Sequence, residues 1–210
     1  MVVAPFFRNH FARLDRQVVL VDLLGAIHDG PGAVEDLRKA MAEILGCFRP
    51  GQNSWLAPIL GRRIDRILFA STKADHLHHT QHARLAAITE ALVRDARDRA
   101  QFRGAETQAL AIAAIRATVE QSVTHGGREV DLVRGRRIAD GEETALYPGE
   151  LPSDPAHLLA QAHKGETRWL DAEYDVMRFA PPRLTLSPGE GPPHIRLDRA
   201  AQFLIGDRLP

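Results

Sequence analysis

Thr72-Lys73-Ala74-Asp75 closes the apolar run Ile67-Leu68-Phe69-Ala70 and sets a lysine two positions before a carboxylate. An ionised carboxylate only accepts hydrogen bonds, and guanine presents two adjacent donors on one edge, its ring N–H and its exocyclic amine. Asp75 can accept both at once, in a paired, charge-assisted geometry stronger than neutral bonds. Adenine places an acceptor where guanine has the ring N–H, so the same carboxylate rejects it. Lys73 would lay its methylene stem along the base plane while its ammonium stays solvated or hydrogen-bonded. The chain has only three lysines, Lys39, Lys73 and Lys164, and otherwise writes arginine. A lysine here therefore points to a compact ammonium on a flexible stem. His76 follows directly and could flank the base. The competing reading is a polar turn after a buried strand.

A second apolar run, Gln17-Val18-Val19-Leu20-Val21, ends in Asp22 and continues Leu23-Leu24-Gly25. Its β-branched, two-sided apolarity suits a central parallel strand covered on both faces. At the carboxyl end of such a strand, a nucleotide-binding α/β sheet places the acid that holds Mg²⁺, usually through water. Asp22 would be that acid. Gly25 would let its amide approach a γ-phosphate, because no side chain intervenes. The alternative is a strand-ending aspartate that caps the next turn. A third run, Thr107 to Ile115, would close the base pocket from the other side. As in guanine-nucleotide hydrolases, a backbone N–H at its end, from Ala114 or Ile115, would bond the guanine carbonyl. A buried strand without ligand contact explains that run equally well.

Asp-x-x-Gly precedes Thr-Lys-x-Asp by about fifty residues with a helix between, the order found in P-loop GTPases. Several blocks make the resemblance specific. Pro5-Phe6-Phe7-Arg8-Asn9-His10-Phe11, Leu14-Asp15-Arg16-Gln17, Val21-Asp22-Leu23-Leu24-Gly25-Ala26 and Ile44-Leu45-Gly46-Cys47-Phe48 resemble the YcjX-like family of bacterial P-loop GTPases. So do Arg63-Ile64-Asp65-Arg66, Thr72-Lys73-Ala74-Asp75-His76, Ile115-Arg116-Ala117-Thr118, Tyr147-Pro148-Gly149-Glu150-Leu151-Pro152 and the tail Pro193 to Ala200. The resemblance covers nearly the whole chain and corresponds to about the carboxyl-terminal half of the family protein. It implies binding of GTP or GDP with Mg²⁺, GTP hydrolysis, and a link to the stress response. It also leaves room for a protein partner, such as a membrane-associated stress protein.

No Gly-x-x-x-x-Gly-Lys-[Ser/Thr] occurs in the chain, so the amide cradle, lysine and Mg²⁺ ligand of a phosphate loop are not encoded. Such a loop precedes Asp-x-x-Gly, and only about twenty residues precede Asp22. The expectation is a chain lacking its amino-terminal half, which carries base recognition and switch elements but is incomplete for hydrolysis. The alternative is a non-hydrolysing protein-interaction module that keeps the fold.

The elements that must position these residues follow from the pattern. The expected fold is α/β, part of a P-loop NTPase fold, with a mostly parallel sheet flanked by helices and an irregular α+β carboxyl-terminal extension. Residues 1–120 would form the GTPase part and 121–210 the extension packed on it. Strands are expected at 17–22, 65–71 and 107–116, then short ones near 129–134 and 143–147. Helices are expected at 32–48, 80–103, 155–163 and 197–206, from apolar spacing and from stops such as Gly104. Residues 49–63 read as a loop in which Trp55 could pack or gate the site.

At 210 residues and 44% hydrophobic, the chain can bury a core, and a net charge of zero gives no electrostatic case for nucleic acid. No apolar stretch approaches the ~20 residues of a membrane span. The start, Met1 to Pro5 followed by aromatics and charges, lacks a signal-peptide layout. The single Cys47 reads as buried packing and suits a reducing compartment, so the expected location is the cytoplasm. Four of ten histidines, His76, His78, His79 and His82, fall within seven residues. His78 and His82 would share one face of a helix, as zinc ligands can, but the commoner explanation is solvated polar residues at a helix start. Arg62, Arg63 and Arg66, and Arg134, Arg136 and Arg137, read as solvated faces or salt-bridge partners rather than as arginine fingers.

Overall fold

A computed structural model describes residues 14–47, 64–163 and 178–209. The block Pro5 to Phe11, the loop 49–63 with Trp55, Arg62 and Arg63, and the side chain of Cys47 lie outside the described residues.

Three strands, β1 (Arg16–Val21), β2 (Arg66–Ser71) and β3 (Glu106–Ala111), form a parallel sheet in the order β1-β2-β3. The register is even: Val21 lies opposite Ser71, and Ser71 opposite Ala111. Parallel neighbours need long crossovers, and these are helical. Between β1 and β2 the described crossover residues form α1 (Leu23–Asp29) and α2 (Pro31–Cys47). Between β2 and β3 run α3 (His82–Leu92) and α4 (Arg94–Phe102).

The central strand shows why the sheet sits where it does. Side chains alternate across a strand, so Ile67 and Phe69 enter the main core with Val21, Ile27, Val34, Leu85 and Ile88. Leu68 and Ala70 enter a second core, with Leu110, Ile112 and Ala200. That second core is covered by α6 (Leu197–Ile205), which brings Leu197, Phe203 and Leu204 onto it. The carboxyl-terminal tail thus packs on the sheet that leads into Thr72 to Asp75.

A second, antiparallel sheet contains β4 (Thr118–His125), β5 (Arg128–Arg136) and β6 (Glu143–Leu146). It is followed by α5 (Pro155–His163). The sequence reading expected irregular chain directly after residue 116 and omitted β4. Its residues, Thr-Val-Glu-Gln-Ser-Val-Thr-His, are polar on a mostly exposed hairpin and carry little apolar signal. The hairpin begins at Thr118, inside the 1–120 span assigned to the first domain.

Two boundaries also differ. The helix expected over 80–103 is two helices meeting at Val93, although bonds from Val93 N–H to the Thr89 carbonyl (3.0 Å) and from Arg97 N–H to the Val93 carbonyl (2.8 Å) run across the joint. Strand β3 stops at Ala111, so Ala114 and Ile115 lie in the turn beyond it. There the chain leaves the sheet: Ile112 donates to the Ser71 carbonyl (2.8 Å) and its own carbonyl accepts from Ala74 N–H (3.0 Å). No helix among the described residues is long and apolar enough to cross a membrane.

Candidate functional site

At the carboxyl ends of β1, β2 and β3 opens a cleft of about 800 Å³. Ligands bind open α/β sheets at this edge. All eight residues singled out by chemistry, Asp22, Gly25, Thr72, Lys73, Asp75, His76, Ala114 and Ile115, line it.

The Thr72 to Asp75 segment is built by a sharp local turn. Thr72 N–H donates to the Val21 carbonyl (3.0 Å), tying the end of β2 to β1. Lys73 then adopts φ 61, ψ 31, the left-handed region that a non-glycine residue occupies at a cost. A 3₁₀ turn, Ala74–His76, follows and carries Asp75 inward, where it is only 5% exposed. One carboxylate oxygen, Oδ2, accepts the Ala117 N–H at 2.9 Å. The Asp75 carbonyl accepts the Thr118 hydroxyl. A carboxylate offers about four lone-pair sites, so the Ala117 amide holds Asp75 in place without exhausting it.

Opposite Asp75 runs the turn 112–117. Ala113 N–H is committed to the Ile195 carbonyl (3.1 Å), Arg116 N–H to the Pro193 carbonyl (2.7 Å), and Ala117 N–H to Asp75. Among the described residues, the amides of Ala114 and Ile115 make no such bond. His76 is buried, and its Nδ1 has no hydrogen-bond partner among the described residues. Its ring meets Phe179 edge-on, with centroids 5.2 Å apart. Burial pushes the His76 imidazole below the usual histidine range, and the Lys73 charge acts the same way, against the opposing pull of Asp75.

At the other end of the cleft, Asp22 and Gly25 are hydrogen-bonded to each other. Asp22 is the N-cap of α1, and its Oδ1 accepts the Gly25 N–H at 3.0 Å. The Gly25 amide that was expected to face a phosphate is therefore spent within the chain. A Cβ at Gly25 would lie 3.0 Å from the Asp22 carboxyl carbon, so the glycine serves this close approach. Asp22 Oδ2 pairs with Lys73 Nζ at 2.5 Å. Both side chains are well exposed, at 49% and 41%. The strand-ending aspartate caps the next helix.

The histidines are also not what the sequence suggested. His76, His78 and His82 are buried rather than solvated, and only His79 is exposed. His78 and His82 do not share a helix face, because His78 precedes the 3₁₀ turn His79–Gln81. His82 sits under the base loop. Its Nε2 lies 2.7 Å from the Ala74 carbonyl and 3.2 Å from the Leu77 carbonyl, the contacts of an Nε2–H donor. Its Nδ1 accepts from Arg196 (3.0 Å), which also donates to the Ala111 carbonyl (3.3 Å). Burial and the Arg196 charge hold His82 below the usual histidine range. Gln81 reaches the Gly149 carbonyl (2.8 Å) and accepts the Leu151 N–H (2.7 Å), anchoring the Tyr147 to Pro152 block. Sequence reasoning missed Ala117, Thr118, Phe179, His82 and Arg196 as site supports. Ala117, Thr118 and Arg196 lie inside blocks that carry the family resemblance, which is the signal that could have found them, but their partners lie up to 114 residues away.

Residues 1–209 match the model of the YcjX-like family, DUF463. The chain is 38% identical over 208 residues to a protein named Ras-like GTPase YcjX from Escherichia coli (strain K12), an alignment covering 99% of this chain and 43% of that protein. It is 36% identical over 210 residues to a protein of the same name from Shewanella oneidensis (strain MR-1), covering 99% and 41%. The chain thus spans less than half the length of these curated relatives.

Proposed function

This chain belongs to the YcjX-like family, and from that premise we propose that it holds the base-recognition end of a guanine-nucleotide site. The observation that carries the reading is the buried Asp75 carboxylate at the cleft edge, fixed through one oxygen by the Ala117 amide. Two relatives named as Ras-like GTPases support it.

The residues present fit a guanine base. Asp75 would accept from the ring N–H and the exocyclic amine. The uncommitted amides of Ala114 and Ile115 would donate to the base carbonyl, and the Lys73 stem would cover one face. The small side chains of Ala113, Ala114 and Ala117 leave room for a flat ring. A neutral His76 would border the base without adding charge beside Asp75.

The residues present fit a triphosphate poorly. The cleft is lined by the carboxylates of Asp22 and Asp29 as well as by Lys73, His28 and Arg178. Asp22 already caps α1 and pairs with Lys73, so a magnesium role through water would require it to leave both partners. No magnesium step is derived from it. Hydrolysis in this reading needs a phosphate-binding loop beyond the residues described, and the chain supplies base selection.

Titration calorimetry with GDP, XDP and ADP, on the wild type and on Asp75→Asn, tests this. The wild type is expected to prefer GDP over ADP, with a Kd weaker than about 10 μM, roughly −6.8 kcal/mol. Asp75→Asn is expected to lose that preference and gain XDP, whose extra carbonyl can accept from the new amide. A GDP affinity untouched by the substitution would make Thr72 to Asp75 a polar turn.

A further inference from the structure

Shortly after Asp75 in the chain, and outside the residues that line the cleft, lies a cluster that nucleotide recognition does not use. Among the described residues, His78, His79 and Glu120 each offer one ligand atom, all within 4.8 Å of one another. Glu120 Oε2 is 2.6 Å from His79 Nδ1 and 3.6 Å from His78 Nε2. Two zinc-bound ligand atoms at about 2.0–2.1 Å from a tetrahedral ion stand about 3.3 Å apart. These two separations straddle that value, and the His79 side chain, 64% exposed, is free to adjust.

The surroundings of His78 are those of a ligand. It is 8% exposed, and its Nδ1 lies 3.1 Å from Asp131 Oδ2 and 3.0 Å from the Thr80 hydroxyl. Asp131 is itself held by the Ser122 hydroxyl (2.8 Å). A carboxylate on one ring nitrogen fixes the tautomer and raises the basicity of the other, the usual outer support of a metal-binding histidine. That leaves Nε2 facing Glu120. The other Glu120 oxygen, Oε1, accepts from Arg116 (2.9 Å), which orients the carboxylate.

We propose that His78, His79 and Glu120 bind one divalent transition-metal ion of the zinc class, with Asp131 as the supporting acid. Two imidazoles and one carboxylate suit zinc better than magnesium or calcium, which favour all-oxygen sites. Three protein ligands leave a fourth position for water. The bound ion would tie residues 78–79, three places after Asp75, to β4. Ala117 and Thr118 already hold Asp75 from the start of that strand, so the metal would be a second clasp between the same two segments.

The test is zinc binding to the purified chain by competition with a chromophoric chelator, with thermal unfolding followed in parallel. One equivalent should bind with a Kd below about 10 μM and raise the unfolding midpoint. His79→Ala, at an exposed position, should lose roughly a hundredfold in affinity and abolish the midpoint rise. Asp131→Asn should lose roughly tenfold. His125→Ala, at the exposed end of β4, should change neither. Glu120→Gln, which keeps the side-chain shape, guards against misreading a folding defect in any one variant. Absence of zinc binding below about 100 μM overturns the proposal. So does equal binding by the wild type and a folded His79→Ala, which would place the ion on other histidines.

Discussion

Two aspartates close neighbouring parallel strands in the same cleft, and they end in opposite states. Asp22 follows β1 directly and enters a helix, so its carboxylate caps α1 and meets Lys73 at the surface. Asp75 comes four residues after β2, past the left-handed turn at Lys73, and is carried under the 112–117 turn. The residue type and strand position are nearly the same. What differs is whether the next residues continue outward as a helix or fold back beneath the neighbouring strand. A carboxylate kept in water contributes little, whereas one desolvated and oriented by an amide can discriminate between ligands.

Replacing each aspartate should break that comparison most directly. In a chain that also carries a phosphate loop, Asp75→Asn should weaken guanine nucleotides by about 2–4 kcal/mol, because an amide loses charge assistance and sets donor against donor. Calorimetry with GDP and XDP reads this. At the small end of the scale, Asp22→Asn should cost less than about 0.5 kcal/mol, since asparagine caps a helix as well as aspartate and exposed ion pairs contribute little. Urea denaturation reads that change, and equal losses of nucleotide affinity at both positions would erase the distinction drawn here.

Between these extremes lie the supports of the Asp75 end. His82→Ala would leave the Leu77 carbonyl without its side-chain donor, leave the Ala74 carbonyl with the Leu77 N–H alone, and open a cavity, at a cost of about 3 kcal/mol in unfolding free energy. The same ring predicts a pH dependence. His76 and His82 are held below the usual histidine range, so in the fold they stay neutral where the unfolded chain, titrating near 6.5, takes up protons. Their contribution is present above about pH 6.5, is lost as the pH falls below it, and stability therefore rises with pH through that window. Thermal midpoints measured from pH 5 to 8 should show the rise, with a shallower slope in His82→Ala.

A somewhat smaller effect is expected at Gly135. A Cβ there would sit 2.6 Å from Phe179 Cδ1 and 3.1 Å from the Ala117 carbonyl oxygen. Gly135→Ala should cost about 2 kcal/mol by overpacking. Because Phe179 meets His76, the substitution should also shift the His76 ring resonances in nuclear magnetic resonance spectra. Unchanged His76 resonances would show that Phe179 does not support the cleft.

The sheet was legible because its signals are local. Val18 to Val21 and Ile67 to Ala70 are short apolar runs closed by polar residues, and helical spacing marks 32–48 and 80–103 between and after them. Strand β4 was not legible, because a polar hairpin has little apolar face to display, and the Asp22-x-x-Gly25 cap has the same residue pattern as a phosphate-facing loop. By itself, the sequence determined the family, the strands that bring Asp22, Asp75 and Ala114 to one edge, and the donor and acceptor chemistry available there. Only the tertiary structure decided that Asp75 is buried and Asp22 is not, that His82 and Arg196 brace the base loop from 114 residues apart, and that His78 and His79 meet Glu120. Those outcomes depend on desolvation and on hydrogen bonds between distant segments, which exist only once the chain has closed on itself.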